Sequence, residues 1–153
     1  MLIAHLPSGF IAGRALESRY SGSMGAALLG SVFPDIDMLY FHFIDAGQTH
    51  HHYYATHWPV LYLAFLLAGL ALHKSAWIVF AAAALMHLVL DSVAAPIRWL
   101  APFSTLEVEM FTVPATHPNW IVSFVTHWTF AIELSICAVA GWLLLRRRQK
   151  TGA

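Results

Sequence analysis

Long apolar stretches, broken at single polar positions, set the pattern of this chain. Ala76 to Ala95, interrupted only at Met86-His87 and Asp91-Ser92, and Trp120 to Leu145 each approach the ~20 residues that cross a bilayer core, and both predict membrane helices. Tyr53 to Leu72 reaches that length once its polar start is included, with Pro59 accommodated in a first helical turn. Leu2 to Leu16 and Gly22 to Phe33 are each shorter than the ~17 residues of the shortest simple span and predict a short or tilted hairpin. Within the second of these, Gly22, Ala26 and Gly30 recur every four residues, a small-residue face that lets helices approach closely. Two stretches between the runs, Pro34 to His52 and Pro96 to Asn119, are rich in proline, histidine and acid and predict loops. Inside the later one, alternating Leu106-Glu107-Val108-Glu109-Met110 predicts a short strand. The expected fold is all-α: a polytopic membrane bundle of about four to five hydrophobic helices with two outward-facing loops, one domain over residues 1–153.

Composition sharpens that picture. Hydrophobic residues make up 59% of the chain and charged residues only 10%, against the roughly 25% charged of water-soluble domains. The formal net charge of zero gives no basic field for nucleic acid, which is not expected as a partner; membrane lipids are. A single cysteine, Cys137, excludes an intrachain disulfide and a cysteine-based zinc motif. Met1 to Phe10 lack a charged leading region and carry His5 and Pro7, so they do not read as a cleaved signal peptide. Orientation follows from the basic residues. A hairpin-hairpin-helix path puts Arg14, Arg19, Lys74, Arg146, Arg147, Arg148 and Lys150, seven of the eight, on one face, which the positive-inside rule makes cytoplasmic together with the carboxyl terminus. The exception is Arg98. Asp35, Asp37, Asp45, Glu107 and Glu109 collect on the opposite, outward face.

On that path, with ~1.5 Å of rise per helical residue, the titratable side chains converge at the outward end. His5 starts the first helix, Asp35 and Asp37 follow the second, and His50, His51, His52 and His57 lead into the third. His87 and Asp91, spaced i, i+4, share one face of the fourth, and His127 enters the last at a comparable depth. Of the consecutive histidines, at most two point one way, and His52 with His57 are the expected ligands. Imidazoles with carboxylates suit zinc, or else manganese or iron, as one or two ions that activate water against a phosphate ester. Asp37 or Asp91, if not fully engaged, would serve as general base, and Arg98 is the one nearby outward cation to steady an anionic substrate. Ionisable residues within a membrane are costly and are usually functional. Bland readings stand beside these. Pro34-Asp35-Ile36-Asp37 is also a turn sequence, the histidine run also a solvated loop, and His87 with Asp91 also a self-satisfied polar pair. Glu133 lies six residues after His127, on a different helix face, and an Arg14–Glu133 ion pair is expected for it. His73 and His117 read as interfacial.

These motifs together, His5 with Gly9, Gly25 to Gly30 leading to Pro34-Asp35-Ile36-Asp37, Thr56-His57, His87 to Asp91, and Pro102-Phe103, resemble the YdjM-like family of membrane-bound metal-dependent hydrolases. That family is also described as LexA-binding inner-membrane-associated hydrolases. The resemblance runs through about Phe103. It implies a bacterial inner-membrane protein with a divalent metal, similarity to zinc-dependent phospholipase C-like enzymes, and ligands at His5, Asp35, Asp37, His52, His57, His87 and Asp91. Tyr53 stands where many members carry arginine, and Trp58 where serine is common. The expected activity is hydrolysis of a phosphoester or lipid-linked substrate. The rival readings are a metal-handling or transport protein, which needs a polar path to the other face, and a non-catalytic membrane scaffold or regulator, which needs no metal.

Overall fold

The computed structural model describes residues 1–151, with side chains as far as Arg146. Within them the chain forms α1 (His5–Leu16), α2 (Met24–Val32), α3 (Asp37–Phe43), α4 (Pro59–Ala71), α5 (Ser75–Asp91), α6 (Trp120–Thr126) and α7 (Phe130–Thr151). Three single 3-10 turns, Pro34–Ile36, His51–Tyr53 and Ala55–His57, join α2 to α3 and α3 to α4. The architecture is all-helical. Among the described residues the expected strand at Leu106–Met110 is only an isolated antiparallel bridge between Ile97 and Val108. The side chains of Arg147, Arg148 and Lys150, part of the expected orientation signal, lie outside the described residues.

Seven helices stand where four or five were expected, because the last apolar run is cut in two and the stretch after Pro34, expected as a loop, forms α3. Trp120 to Leu145 is not one helix: it breaks between Thr126 and Phe130, where His127 is extended (φ −80°, ψ 145°), and the two parts meet at 71°. Thr129, fully buried, stands at the start of the new helix, a position that favours a hydroxyl residue, and its Oγ1 lies 2.9 Å from His127 Nδ1. Similarly α2 and α3 meet at 50° around Pro34, which lacks an N–H to continue the helical ladder. The stretch from Pro34 to His52 is therefore largely helical rather than loop. At its far end α5 stops at Asp91, short of Pro96, whose ring disfavours helix in the residue before it. The turn from α4 to α5 closes with His73 in the left-handed region (φ 52°) and Lys74 N–H donating to Gly69 O at 2.8 Å.

Among the described residues no single helix is both long and apolar enough to cross a membrane, although the two bent pairs reach the length and composition jointly. Packing centres on α5, which α2 and α4 flank, while α1 lies between α2 and α7. Close approach depends on small residues, in a register one position away from the expected face. Ala27, Gly30 and Ser31 are buried, whereas Ala26 is half-buried and Gly22 sits in an open turn. A side chain on Gly30 would overlap the backbone of Phe80 on α5, and one on Gly9 of α1 would overlap Ser31 and the carbonyl of Ala27. The distribution of polarity is inverted relative to a water-soluble domain. Buried positions hold alanines, His5, Asp37, His52, His57, His87, Asp91 and Glu133, while Leu29, Phe43, Leu67, Trp128 and Leu145 face outward. A small apolar nucleus of Tyr62, Ala84, Leu88 and Ile97, with Phe80, Leu85 and Trp99 against it, lies beside the polar cluster.

Candidate metal centre

The carboxyl end of α5 is the hub. His87 and Asp91 face the same way one turn apart, with His87 Nε2 2.9 Å from Asp91 Oδ2. His87 Nδ1 donates to the carbonyl of Ser31 on α2 at 2.8 Å, which leaves Nε2 as the lone-pair nitrogen. His57, at the end of the 3-10 turn before α4, is held the same way: its Nδ1 lies 2.6 Å from Asp37 Oδ2, which also accepts from Thr56 Oγ1 at 2.6 Å. Its Nε2 then faces Asp91 Oδ2 at 3.7 Å and Asp35 Oδ1 at 3.9 Å, and Asp35 Oδ1 stands 3.7 Å from His87 Nε2. Two imidazoles from different elements, each anchored through Nδ1 to an oxygen, thus present Nε2 toward two carboxylates.

Other residues complete the rim. His5, at the first position of α1, stacks on His87 (3.7 Å between ring centres, 21° between planes) and places Nε2 3.1 Å from Asp91 Oδ1. The amino group of Met1 also contacts Asp91 Oδ1. His52 Nε2 lies 3.9 Å from Asp91 Oδ2. His57 Nε2, His87 Nε2, Asp91 Oδ2, His5 Nδ1 and His52 Nδ1 are all buried and have no hydrogen-bond partner among the described residues. Buried lone pairs left without partners are expensive, and a cation between them removes the cost. Four overlapping triads have ligand atoms close enough to share an ion, Asp35-His57-His87, His52-His57-Asp91, His5-His87-Asp91 and Asp37-His51-His57, and His50-His51-His52 forms a fifth beside them.

The field of the cluster favours positive charge. Burial alone would lower the pKa of His57, but hydrogen bonds to Asp37 and Asp91 and their negative charge outweigh it and raise it to about 9. A site that holds a proton so firmly on His57 is one into which a divalent cation would be drawn. His52 has no carboxylate contact close enough to offset burial, which lowers its pKa to about 2 and keeps the ring neutral, the form that binds metal.

All seven expected ligands gather at this one place. Asp37 differs in position from the others, because it stands behind His57, on Nδ1, rather than beside Nε2; its free Oδ1 lies 3.6 Å from His51 Nδ1. His51 was not singled out by sequence, where three adjacent histidines are indistinguishable until the 3-10 turn fixes their directions. His127 is not part of the cluster and pairs with Thr129 instead. His73 and His117 are exposed and belong to none of these groups. Arg98 already binds Glu107 at 3.0 Å and lies over the ring of Tyr53, 3.6 Å from its centre.

The expected Arg14–Glu133 ion pair does not form. Arg14 pairs with Glu17 three residues on, at the half-exposed end of α1. Glu133 is fully buried at the opposite end, where its carboxylate accepts the backbone N–H groups of Leu2 (2.8 Å), Ile3 (2.5 Å) and Ala4 (3.0 Å). Matching opposite side-chain charges overlooked the otherwise unpaired backbone N–H groups of the segment that leads into α1, which a carboxylate binds equally well. This clasp fixes the segment that delivers His5 to Asp91.

No curated protein and no solved structure matches the chain. The profile of the YdjM inner membrane protein family, in contrast, matches residues 1–152. With essentially its whole length covered, the chain belongs to the YdjM inner membrane protein family.

Proposed function

We propose that this protein is a multi-pass inner-membrane hydrolase that uses a divalent metal, with zinc the best fit, to cleave a phosphoester of a lipid or lipid-linked substrate. The observation that carries the reading is the pair of buried, partnerless nitrogens, His57 Nε2 and His87 Nε2, each fixed as a lone-pair donor by an oxygen on Nδ1. That arrangement, a histidine backed by a carboxylate or carbonyl, is how metal-binding imidazoles are oriented. A scaffold held together by buried polar contacts would leave no such atoms idle. Multiple crossings are supported by the apolar exterior around a polar interior and by the two bent apolar pairs. The distribution of basic residues supports a carboxyl terminus in the cytoplasm, with the stretches 34–52 and 96–119 outside.

In this reading His57, His87 and Asp91 hold one ion, with His5 and His52 at its rim, Asp35 facing it from the open side and Asp37 orienting His57; the neighbouring Asp37–His51 pair is where a second would lie. The metal, when bound, supplies a Lewis acid that polarises the phosphoryl group and acidifies water. Asp35 is the most open of the three carboxylates, its side chain 37% exposed, and is best placed to accept the proton released as water attacks. Asp91, 1% exposed and surrounded by His5, His57 and His87, serves to hold charge rather than to shuttle protons. Arg98 would reach an anionic substrate only by leaving Glu107 and Tyr53.

The test is hydrolysis of phosphoester lipids by zinc-loaded protein, wild type beside Asp35→Asn. Activity that needs the metal and falls at least tenfold in Asp35→Asn while zinc content holds supports the assignment; no turnover of any phosphoester by fully loaded wild type overturns it.

A further inference from the structure

The two bent helix pairs share a feature that the metal centre does not explain. Each bend leaves one seven-residue helix, α3 or α6, lying off the main bundle. Both are apolar on two sides. Outward they expose Leu39 and Phe43 on α3, and Ile121 and Trp128 on and just after α6. Inward, Met38 and Phe41 of α3 and Phe124 of α6 line a cavity of about 520 Å³, with Ala95, Ala115 and His52 also in its wall. A helix with apolar residues on both faces needs a non-aqueous neighbour on each.

The cavity adjoins the candidate metal centre through His52. His52 belongs both to its wall and to the His52-His57-Asp91 triad. Ala95 sits in the turn directly after α5, its N–H donating to the carbonyl of Asp91 at 2.9 Å. The volume lies within the ~300–1,000 Å³ of small-molecule sites, whose usual form is an apolar chamber with a few polar groups at one end. Here the polar groups are histidines, His50, His51 and His52, the last of which faces Asp91 at 3.9 Å.

From this we infer that the cavity between α3 and α6 binds the acyl chain of a membrane phospholipid, drawn in between two short helices that rest in the bilayer interface, with its headgroup turned toward His52 and Asp91. The inference rests on the hydrolase reading only for what happens to the headgroup; the chain site stands on the cavity itself. An acyl chain is the occupant these surfaces favour, because the outer faces of the same two helices carry large exposed apolar residues and the chain belongs to an inner-membrane family. A water-borne phosphate ester would gain nothing from Met38, Phe41 and Phe124.

The experiment uses full-length protein in nanodiscs of phosphatidylethanolamine and phosphatidylglycerol, doped with a phospholipid bearing a diazirine near its chain terminus. After irradiation, labelled positions are mapped by mass spectrometry. Labelling of inward-facing Met38 and Phe124 is expected, reduced at least fivefold by Ala95→Trp or, independently, by Ala115→Phe, both of which fill the cavity, with folding checked by thermal unfolding. The His57→Ala/His87→Ala variant should keep the label, which separates this site from the metal reading. Labelling confined to Leu39, Phe43 and the other outward residues, or inward labelling unchanged in both filled variants, overturns the proposal.

Discussion

Replacing Glu133 with alanine tests how far the last helix controls the metal-binding end. Its carboxylate is fully buried and accepts three backbone N–H groups, at Leu2, Ile3 and Ala4. A hydrogen bond to an ionised acceptor contributes roughly 1.5–3 kcal/mol. Not all of that is lost three times over. Leu2 and Ile3 are 40% and 45% exposed, so water can take their N–H groups, whereas Ala4 is fully buried and its donor is stranded. Removal of the carboxylate also returns the cost of having desolvated it, and the truncated side chain leaves a void. The net expectation is a loss of about 3 kcal/mol, or roughly 6–12 °C in Tm for a chain of this size. Glu133→Gln keeps one acceptor oxygen and should lose about half as much. Because residues 2–4 deliver His5 to Asp91, zinc affinity should fall in the same order, alanine below glutamine below wild type. Thermal unfolding and competitive zinc titration in one detergent read both effects. A Glu133→Ala protein with unchanged Tm and unchanged zinc affinity would refute the clasp.

Asp37→Asn should leave the fold intact but weaken metal binding by roughly 10–100-fold, since Asp37 orients His57 through Nδ1; direct zinc titration measures it. The pKa of His57, raised from 6.5 to about 9, has two consequences. In metal-free protein its protonated contacts with Asp37 and Asp91 stabilise the fold fully below about 6.5 and are lost as pH rises through about 9. Zinc must displace that proton, so affinity should climb about tenfold per pH unit from 7 toward 9 and then level off in a titration series; a flat profile would exclude His57 as a ligand. Gly9→Ala drives a methyl group into Ser31 and the Ala27 carbonyl, and should cost about 1–3 kcal/mol or more in a chemical-unfolding assay.

Much of the site was legible because its geometry follows from helix periodicity and path. His87 and Asp91 share a face by their spacing alone, and turnarounds at both ends of the runs bring Asp35 and His57 to the same level. What escaped depended on the backbone. A helix break at His127–Thr129 carries no proline and lies in an apolar run, so hydropathy reads through it. The close-packing face of α2 is Ala27, Gly30 and Ser31, one position from the Gly22, Ala26, Gly30 repeat, because small residues occupy both registers and only the neighbours choose between them. Glu133 found backbone donors rather than Arg14, a partner no side-chain inventory contains. The distinct place of Asp37, behind His57 instead of beside Asp35, required the 3-10 turns on either side of α3 to be known.

The most direct test of the central claim is elemental analysis of tag-free, detergent-purified protein, wild type beside the His57→Ala/His87→Ala variant. One or two equivalents of zinc, or of manganese or iron, are expected in the wild type and none in the variant. A wild type without metal even after reconstitution, or a variant that retains the full complement, would contradict it.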